Sequence, residues 1–572
     1  MSDKKIFGID LGTTFSAISY VNEDGKAEII RNSDGEVTMP SVVYFENANN
    51  IIAGKVAKES GKLEPDNVIE FVKRQIGADW TYDFEGVSYN PSMISSVILK
   101  RLAQDAEEAT GCKVEDVVIT CPAYFGEEHR KATQQAGELA GLNVIQILDE
   151  PAAAALCYAF SNQLGDTPDK TILVYDLGGG TFDSTVLSIK NGNNIKVVCT
   201  DGDHKLGGAD WDQRIIDYLA TKFQEETGSG ADILEDVEAK YDLRLSAETA
   251  KQALSKKEST TIPVSYEGEK VKVQLTRDEF NSMTQDLLEQ TYVLTDKVVQ
   301  LAKDKGVDHI DEILLVGGST KMPQVQDGVK ERYGDPMGIP VRIYDPDEAV
   351  AKGAAIFAFM RYVQQIIDDY ISDNLDTATA TSDEIKKVEE KAKNEVAISL
   401  GFSPQAIDPI REATVTLCAT KSYGIEVAVR NDPNDIQLST MIVRQSELPC
   451  ESKATFGLME DNQQSVKIAV YSHDQIPELE DPNKPDDPHN RKPMELQYCS
   501  PIGDNMLDIP AGKKEGDPIE VTFKLGENGM LNVSAREPDS GKMIECSFQV
   551  VNAMSEDEMQ KAKQHLTGLS IS

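Results

Sequence analysis

The sequence predicts an α/β domain built from two similar lobes, followed by an antiparallel β-sandwich. Up to about Met360, short apolar strands alternate with helical patterns, the order that builds a layered α/β domain. A strand–turn–strand motif occurs twice in this part, at residues 6–15 and 173–183. From Ala413 onward apolar residues tend to recur at every second position, as in strands with one buried face.

The predicted boundaries place two small segments beside the two large domains. The α/β domain covers residues 1–361, a helical connector 362–412, the β-sandwich 413–552 and a short C-terminal helix 553–572. Thr381 and Glu384 have the spacing of a capping box, which opens a charged helix predicted to end near Gly401. Few residues of the connector are expected to anchor a core.

The composition disfavours several classes of partner. A net charge of −40 repels phosphate backbones and anionic lipid, which argues against nucleic acid and membrane surfaces. The eight cysteines form no C-x-x-C pair and the six histidines form no H-E-x-x-H motif, so neither predicts a metal site. The sequence shows no signal peptide, and no apolar run approaches the ~18 residues of a membrane span. We therefore expect a cytoplasmic protein.

The repeated motif has the residue types that bind a polyphosphate. In each copy a buried strand ends in an aspartate, Asp10 or Asp176, and a turn rich in glycine follows. Glycines let backbone N–H groups approach phosphate oxygens, and threonine hydroxyls add donors. Aspartates repel phosphate, so we expect them to hold Mg²⁺ through its waters. The turn residues are Gly12, Thr13 and Thr14 in the first copy and Gly178, Gly179, Gly180 and Thr181 in the second.

Two observations bear on the kind of nucleotide site. Taken alone, either turn also fits an ordinary β-turn, whereas their repetition favours two hairpins that grip a ligand from both sides. No G-x-x-x-x-G-K-[ST] motif occurs, so this is not a P-loop. A third strand is followed by Gly317, Gly318 and Ser319, which fits either a nucleoside contact or an ordinary βα turn.

Together these residues resemble the seventy-kilodalton heat-shock protein family, the DnaK-type chaperones. The resemblance covers residues 5–360 and 414–552, with further motifs at 121–125 and 149–155. It implies an actin-like ATPase domain and a peptide-binding β-sandwich. The implied function is that of a chaperone that binds extended apolar peptides and couples this to slow Mg·ATP hydrolysis. The implied partners are unfolded peptide segments, J-domain co-chaperones and nucleotide exchange factors.

The resemblance also implies roles for matched positions in the first domain. Lys73 matches a catalytic lysine that orients the attacking water, although sequence alone favours a solvated surface lysine. Glu150 matches an acid near that water, and taken alone it would fit a helix N-terminal acid. Pro122 and Arg130 match residues that relay the nucleotide state. Phosphate contacts fall on Thr13 and Thr181, metal contacts on Asp10, Asp176 and Asp183, and adenosine contacts on Glu248, Lys251, Ser255, Gly318, Ser319 and Asp347.

In the second domain the resemblance implies a cleft for an extended peptide. The alternative is that the same side chains form the plain core of a sandwich. The matched positions are Ile425, Val427, Phe456, Val466 and Ile468.

The chain departs from the family pattern at four places. The connector precedes the interdomain linker, whose apolar run is reduced to residues 414–417 and broken by threonines, so firm docking of the linker is not expected. Gln252 and Lys321 replace two arginines that stack on adenine, which predicts weaker nucleotide binding. Gln146 replaces an arginine that meets J-domain partners. The helical lid is reduced to a remnant within residues 553–572, which predicts fast peptide release.

These departures leave a second function open. The chain could bind nucleotide without hydrolysing it, or hydrolyse it weakly, and serve as a regulatory or scaffold protein. Tight ATP binding without turnover would distinguish that protein from an ATP-driven chaperone.

Overall fold

Strands and helices alternate through the first two thirds of the chain, and strands predominate after that. The computed structural model describes residues 5–161, 168–228, 232–376, 380–429, 435–484, 490–546 and 552–572. The strands are β1 (Phe7–Asp10), β2 (Phe15–Val21), β3 (Ala27–Ile29), β4 (Met39–Pro40), β5 (Val43–Asn47), β6 (Asn50–Ala53), β7 (Val68–Ile69), β8 (Tyr82–Phe84), β9 (Val87–Tyr89), β10 (Asp116–Cys121), β11 (Asn143–Asp149), β12 (Lys170–Leu177), β13 (Phe182–Lys190), β14 (Asn194–Asp203), β15 (Ser259–Tyr266), β16 (Glu269–Thr276), β17 (Glu312–Val316), β18 (Val341–Ile343), β19 (Thr414–Thr416), β20 (Ser422–Ala428), β21 (Ile436–Ile442), β22 (Cys450–Gly457), β23 (Ser465–His473), β24 (Met494–Glu495), β25 (Ser500–Asp508), β26 (Pro518–Leu525), β27 (Leu531–Arg536), β28 (Met543–Cys546) and β29 (Ser570–Ile571). The helices are α1 (Lys55–Ser60), α2 (Pro91–Thr110), α3 (Glu127–Leu139), α4 (Glu150–Ser161), α5 (Gly208–Thr227), α6 (Val237–Leu254), α7 (Arg277–Met283), α8 (Gln285–Asp304), α9 (Pro323–Val329), α10 (Asp335–Met337), α11 (Ala349–Asn374), α12 (Ser382–Leu400), α13 (Pro404–Glu412) and α14 (Glu556–Thr567).

The two copies of the repeated motif occupy equivalent places in two mixed sheets. The first sheet has the order β11-β10-β1-β2-β3, and the second runs β18-β17-β12-β13-β14 before its last strand. In each sheet the motif forms an antiparallel hairpin with a parallel strand on its other side. The carboxyl ends of β1 and β12, which carry Asp10 and Asp176, line one cleft between the lobes. Ligands usually bind at such strand ends.

Helices α4 and α11 contact each other and the first sheet, and glycines set how closely they approach. A Cβ atom on Gly353 of α11 would lie 1.8 Å from the carbonyl oxygen of Ala153 in α4. A Cβ atom on Gly8 of β1 would lie 2.0 Å from the backbone nitrogen of Ala355. Neither position has room for a side chain, so this close packing depends on both glycines.

The connector differs from its prediction in where it begins and in how it packs. Helix α11 runs without a break to Asn374 and so crosses the boundary predicted at residue 361. The predicted capping box is confirmed, since Thr381 and Glu384 bond reciprocally and α12 ends at Gly401. The expectation that few residues anchor a core is wrong, because eight of them are buried in one cluster with α4 and the sandwich. They are Val363, Ile367, Ile371, Ala392, Val396, Ala397, Ile407 and Ile410.

The linker is docked, contrary to the sequence expectation. Strand β19 pairs in parallel with β14 and becomes the last strand of the second lobe's sheet. Residues 414–416 therefore belong to the α/β sheet and not to the sandwich that was predicted to begin at residue 413. The threonines do not prevent docking, because the contact is made through the backbone ladder and through Val415, whose register partner is Ile195.

Two antiparallel sheets form the predicted sandwich. One has the order β24-β21-β20-β23-β25 and the other β22-β26-β27-β28. Their inner faces form one apolar cluster that continues through Leu417 to α4 and α11. The sandwich and the nucleotide lobes are thus joined by a shared core.

The C-terminal segment lies against the first lobe. Helix α14 contacts α3, and β29 pairs in parallel with β6. The side chains of Ala562, Leu566 and Leu569 are buried in the core of that lobe. A helix is predicted here as a lid remnant, whereas the strand that follows it is not predicted. Among the described residues, no helix is both long and apolar enough to span a membrane.

Candidate functional site

A cleft of about 1000 Å³ separates the two lobes. Its walls contain all the sequence-predicted nucleotide and catalytic residues except Gly180 and Asp183, which lie just behind them. Turn residues from both copies of the repeat are present, together with the face of α6 and the turn after β17. The cleft therefore has room for a nucleotide and brings together positions from distant parts of the chain.

The two glycine turns touch each other across the cleft. A Cβ atom on Gly179 would lie 2.0 Å from Oγ1 of Thr14, and one on Gly180 would lie 2.3 Å from Cγ2 of Thr13. The first turn of α5 caps the second turn, because the backbone nitrogens of Gly208 and Ala209 donate to the carbonyls of Gly178 and Gly179 at 3.0 and 2.8 Å. Glycine is required here because the two turns approach so closely.

Lys73 and Glu150 form a buried ion pair at the base of the cleft. Lys73 Nζ lies 2.6 Å from Glu150 Oε1, and the lysine is only 4% exposed. The reading of Lys73 as a solvated surface residue is therefore wrong. Burial lowers the pKa of Lys73, but the carboxylates of Glu150 and Asp10 outweigh it and raise the pKa above its ordinary value. The side chain therefore stays a charged ammonium within the cleft.

Three aspartates beside this pair carry more negative charge than the lysine can balance. Burial, reinforced by the charge of Glu150, raises the pKa of Asp10 to about 7 and the pKa values of Asp176 and Asp183 well above their usual range. Such a site favours a divalent cation, which would restore these carboxylates to their charged form. Among the described residues, no three His, Cys, Asp or Glu side chains are grouped closely enough to bind a metal directly. The arrangement thus fits Mg²⁺ held through its waters.

The end of the cleft where adenosine contacts are predicted is lined by α6 and by the turn after β17. Lys251 Nζ donates to the carbonyl of Gly208 at 2.8 Å and pairs with Asp212 at 2.7 Å. Ser319 Oγ donates to the carbonyl of Gly178 at 2.8 Å, which ties this turn to the phosphate turn. The remaining predicted contacts on these elements are Glu248, Ser255, Gly317, Gly318 and Asp347.

The two side chains that replace the family's arginines also line this end. Gln252 is exposed, and Lys321 forms an ion pair with Asp347. Neither provides a planar cation over which a base could stack.

Sequence reasoning missed the ion pairs that cross the cleft. Arg74 follows Lys73, and its Nε donates to the carbonyl of Gly180 at 2.9 Å while Nη2 pairs with Asp210 at 2.5 Å. Lys58 of α1 pairs with Glu248 of α6 at 2.5 Å. Arg74 and Asp210 are 136 residues apart, so no local spacing could have revealed them.

A second set of contacts joins the sandwich to α3 near the Lys73–Glu150 ion pair. Arg130 is buried and pairs with Asp149, the residue before Glu150. Arg130 Nε donates to the carbonyl of Phe125 at 3.2 Å, and Thr420 Oγ1 at the start of the sandwich donates to the same oxygen at 3.3 Å. One carbonyl thus contacts both the catalytic lobe and the sandwich.

The five predicted peptide-binding residues pack on the sandwich core. Ile425 and Ile468 are 3% and 1% exposed, so their burial favours the core interpretation. Val427, Phe456 and Val466 are half-buried and pack against the same cluster. A role in binding peptide stays a prediction for all five.

Comparison with known proteins agrees with this fold. The family model described as Hsp70 protein matches residues 6–369 and 411–568. The chaperone protein DnaK of Thermosipho africanus is 35% identical over 569 residues, which cover 98% of this chain and 83% of the relative. DnaK of Thermotoga maritima is 35% identical over 570 residues with the same coverage. The chain therefore belongs to the Hsp70 family of ATP-dependent chaperones, and ATP hydrolysis is the enzymatic activity of this family.

Proposed function

We propose that this chain hydrolyses Mg·ATP in the cleft between its lobes and uses the cycle to control peptide binding in the sandwich. The observation that carries the proposal is the buried Lys73–Glu150 pair, which lies beside three aspartates in a cleft built from both repeats. The scaffold alternative is not favoured, because every residue type that hydrolysis needs is present there.

The residues of the cleft would divide the chemistry between them. Turn N–H groups and the hydroxyls of Thr13 and Thr181 bind the phosphates. Lys73 donates to the attacking water and to the γ-phosphate oxygens, where negative charge increases. Glu150 accepts from the lysine and orients it. When bound, Mg²⁺ supplies charge neutralisation, held through water by Asp10, Asp176 and Asp183.

Coupling to the sandwich follows the contacts around Phe125. A shift of Glu150 moves its neighbour Asp149 and therefore Arg130, which pairs with Asp149. Arg130 in turn contacts the carbonyl oxygen of Phe125, to which Thr420 also donates. If nucleotide in the cleft and peptide in the sandwich both change these contacts, binding at one site changes the affinity of the other, and the change is a coupling free energy. The ligand of the sandwich would be an extended apolar peptide, and J-domain proteins and exchange factors would be further partners. Seven cysteines in the part of the chain that the structure describes are free thiols, which fits a reducing cytoplasm.

The dissociation rate of a fluorescent unfolded peptide tests the proposal. We expect release to be at least tenfold faster with Mg·ATP than with Mg·ADP. Replacing Arg130 by Lys should reduce that ratio, because lysine cannot contact both Asp149 and the carbonyl of Phe125. A peptide that leaves at the same rate with either nucleotide, while ATP is hydrolysed, would refute the coupling and keep the ATPase assignment.

A further inference from the structure

Most of the segment between α11 and the linker lies outside the family match, and its described helices pack on α11. The Hsp70 model leaves residues 370–410 unmatched. In this chain, α12 and α13 occupy most of that segment, and we call residues 382–412 the brace. Both helices of the brace contact α11, and they contact each other.

The brace is fixed to α11 by apolar and charged contacts. Its residues Ala392, Val396, Ile407 and Ile410 are buried in the same cluster as the inner face of α11. Arg411 pairs with Asp368 of α11 at 2.6 Å and with Glu389 of α12 at 2.9 Å. One guanidinium thus joins all three helices at the end of the brace.

A glutamine holds the chain where the brace becomes the linker. Gln364 Nε2 of α11 donates to the carbonyl oxygen of Ala413 at 3.0 Å, with the carbonyls of Arg411 and Ile410 at 3.4 and 3.5 Å. The next backbone nitrogen, that of Thr414, donates to the carbonyl of Asn193 at 3.1 Å and begins the pairing of β19 with β14. The direction in which the linker enters the sheet is therefore set by α11 together with the end of the brace, whose carbonyls at Ile410 and Arg411 face the same amide.

The chain between the brace and the sandwich is short. Cys418 already bridges to Glu447, and the backbone nitrogen of Ala419 donates to Ser446, so both belong to the sandwich. Only residues 413–417 separate the brace from the sandwich. A segment of that length spans at most about 18 Å when fully extended. While the brace stays bound, the two domains cannot separate further than this.

We propose that the brace holds the linker strand on the nucleotide domain and limits the separation of the two domains. It adds to the apolar contacts of Val415 and Leu417, which the threonines of the linker interrupt. The proposal rests on the proposed function, because it concerns how the ATPase and peptide domains communicate. Loosening the brace should free the linker without touching any residue of the cleft.

Hydrogen exchange of the linker amides tests this. Full-length wild type should protect residues 414–417 with either Mg·ATP or Mg·ADP bound. The variant Gln364→Ala/Arg411→Ala should exchange at least tenfold faster at these amides in Mg·ADP. Arg411→Lys, which keeps one ion pair, should lie between the two, and the exposed brace substitution Lys386→Ala should match wild type.

Two controls distinguish loosening of the brace from unfolding of the nucleotide domain and from failure of the proposed function. Exchange of β12 and β13 amides reports whether the nucleotide domain stays folded in each variant. Steady-state ATP hydrolysis of the wild type tests the proposed function independently of the linker. Wild-type exchange rates in the double variant would overturn the proposal, as would a wild-type linker that exchanges like unstructured chain in Mg·ADP.

Discussion

At the residue scale, the site is governed by one buried ammonium among carboxylates. The ammonium of Lys73 is buried away from water, and its ion pair with Glu150 replaces the lost hydration. This ion pair also fixes the position of the lysine side chain. Arg74, the next residue, reaches across the cleft to Asp210. Neighbouring cations on one short helical turn, Val72–Gln75, thus form one ion pair at the base of the cleft and one across it.

Replacing Lys73 by Ala should abolish most of the hydrolysis. The loss of a preorganised cation at the developing phosphate charge costs roughly 10²- to 10³-fold in rate. Single-turnover hydrolysis of bound ATP measures this directly. The exposed Lys62→Ala serves as the matched control and should hydrolyse at the wild-type rate. A Lys73→Ala protein as fast as that control would remove the lysine from the mechanism.

Restoring arginines at the base end of the cleft should tighten nucleotide binding. In Gln252→Arg/Lys321→Arg, two planar guanidinium groups become available to stack on adenine, and we expect roughly tenfold tighter binding. Titration with a fluorescent ADP analogue measures the dissociation constant. Gln252→Leu/Lys321→Met provides side chains of similar length without the planar cation. Equal affinity in both double variants would show that stacking does not limit binding.

The sequence predicts the local part of this site and not the part assembled by folding. The turns after Asp10 and Asp176 are recognisable because glycine and threonine are required within a few residues. The pair Arg74–Asp210 is invisible, because it arises only when two lobes close on each other. Burial of Lys73 is equally a property of the folded cleft, which explains why sequence alone favours a solvated lysine.

At the scale of single elements, helix α3 makes one of the contacts between the lobes and the sandwich. Its first residue, Glu127, is buried, and Oε1 accepts from the backbone nitrogen of Leu531 in β27 at 3.3 Å. Glu128 beside it pairs with Lys421 of the sandwich. Such contacts are not predictable from the sequence. Strand β19 is an example, since a short alternating strand has the same sequence pattern at the edge of either sheet.

Docking of the sandwich should weaken as pH rises. Burial raises the pKa of Glu127 to about 8 in the docked structure, with a smaller contribution from Glu128. Docking therefore favours the protonated form of Glu127. The contribution of this group to the free energy of docking is complete below the ordinary glutamate pKa and is lost as pH rises through about 8. Fluorescence energy transfer between dyes on the two domains should fall over that interval.

The matched variant is Glu127→Gln, which mimics the protonated acid at every pH. Its transfer efficiency should stay at the low-pH value of wild type and vary little between pH 6 and 9. A variant that keeps the full pH dependence of wild type would place the responsible titration elsewhere.

At the scale of the whole molecule, the C-terminal segment acts as part of the first lobe. Leu566 is buried in that lobe's core, and Tyr89 Oη lies 2.9 Å from Nε2 of His565. The helix itself is predictable from the capping box of Ser555 and Glu558. Its partner is not, because nothing within residues 553–572 distinguishes a lid from a helix that packs on a distant domain.

Truncating Leu566 should destabilise the nucleotide domain. Leu566→Ala removes a buried side chain and is expected to cost about 3 kcal/mol. Calorimetry of the full chain with saturating Mg·ADP should show the transition of the nucleotide domain shifted to lower temperature. Gln564→Ala, at an exposed position of the same helix, should leave that transition in place. An unshifted transition in Leu566→Ala would mean that α14 contributes nothing to the lobe.

The pairing of β29 with β6 has a consequence for how the protein is made. The segment that carries β29 packs on residues translated far earlier, as the 476 residues between Tyr89 and His565 show. At ribosomal speeds of 5–20 residues per second, that interval lasts between roughly 25 and 100 s. Throughout it, the edge of β6 that β29 later covers is open to pairing with other chains. A member of a chaperone family is thus itself open to incorrect strand pairing while it is being synthesised.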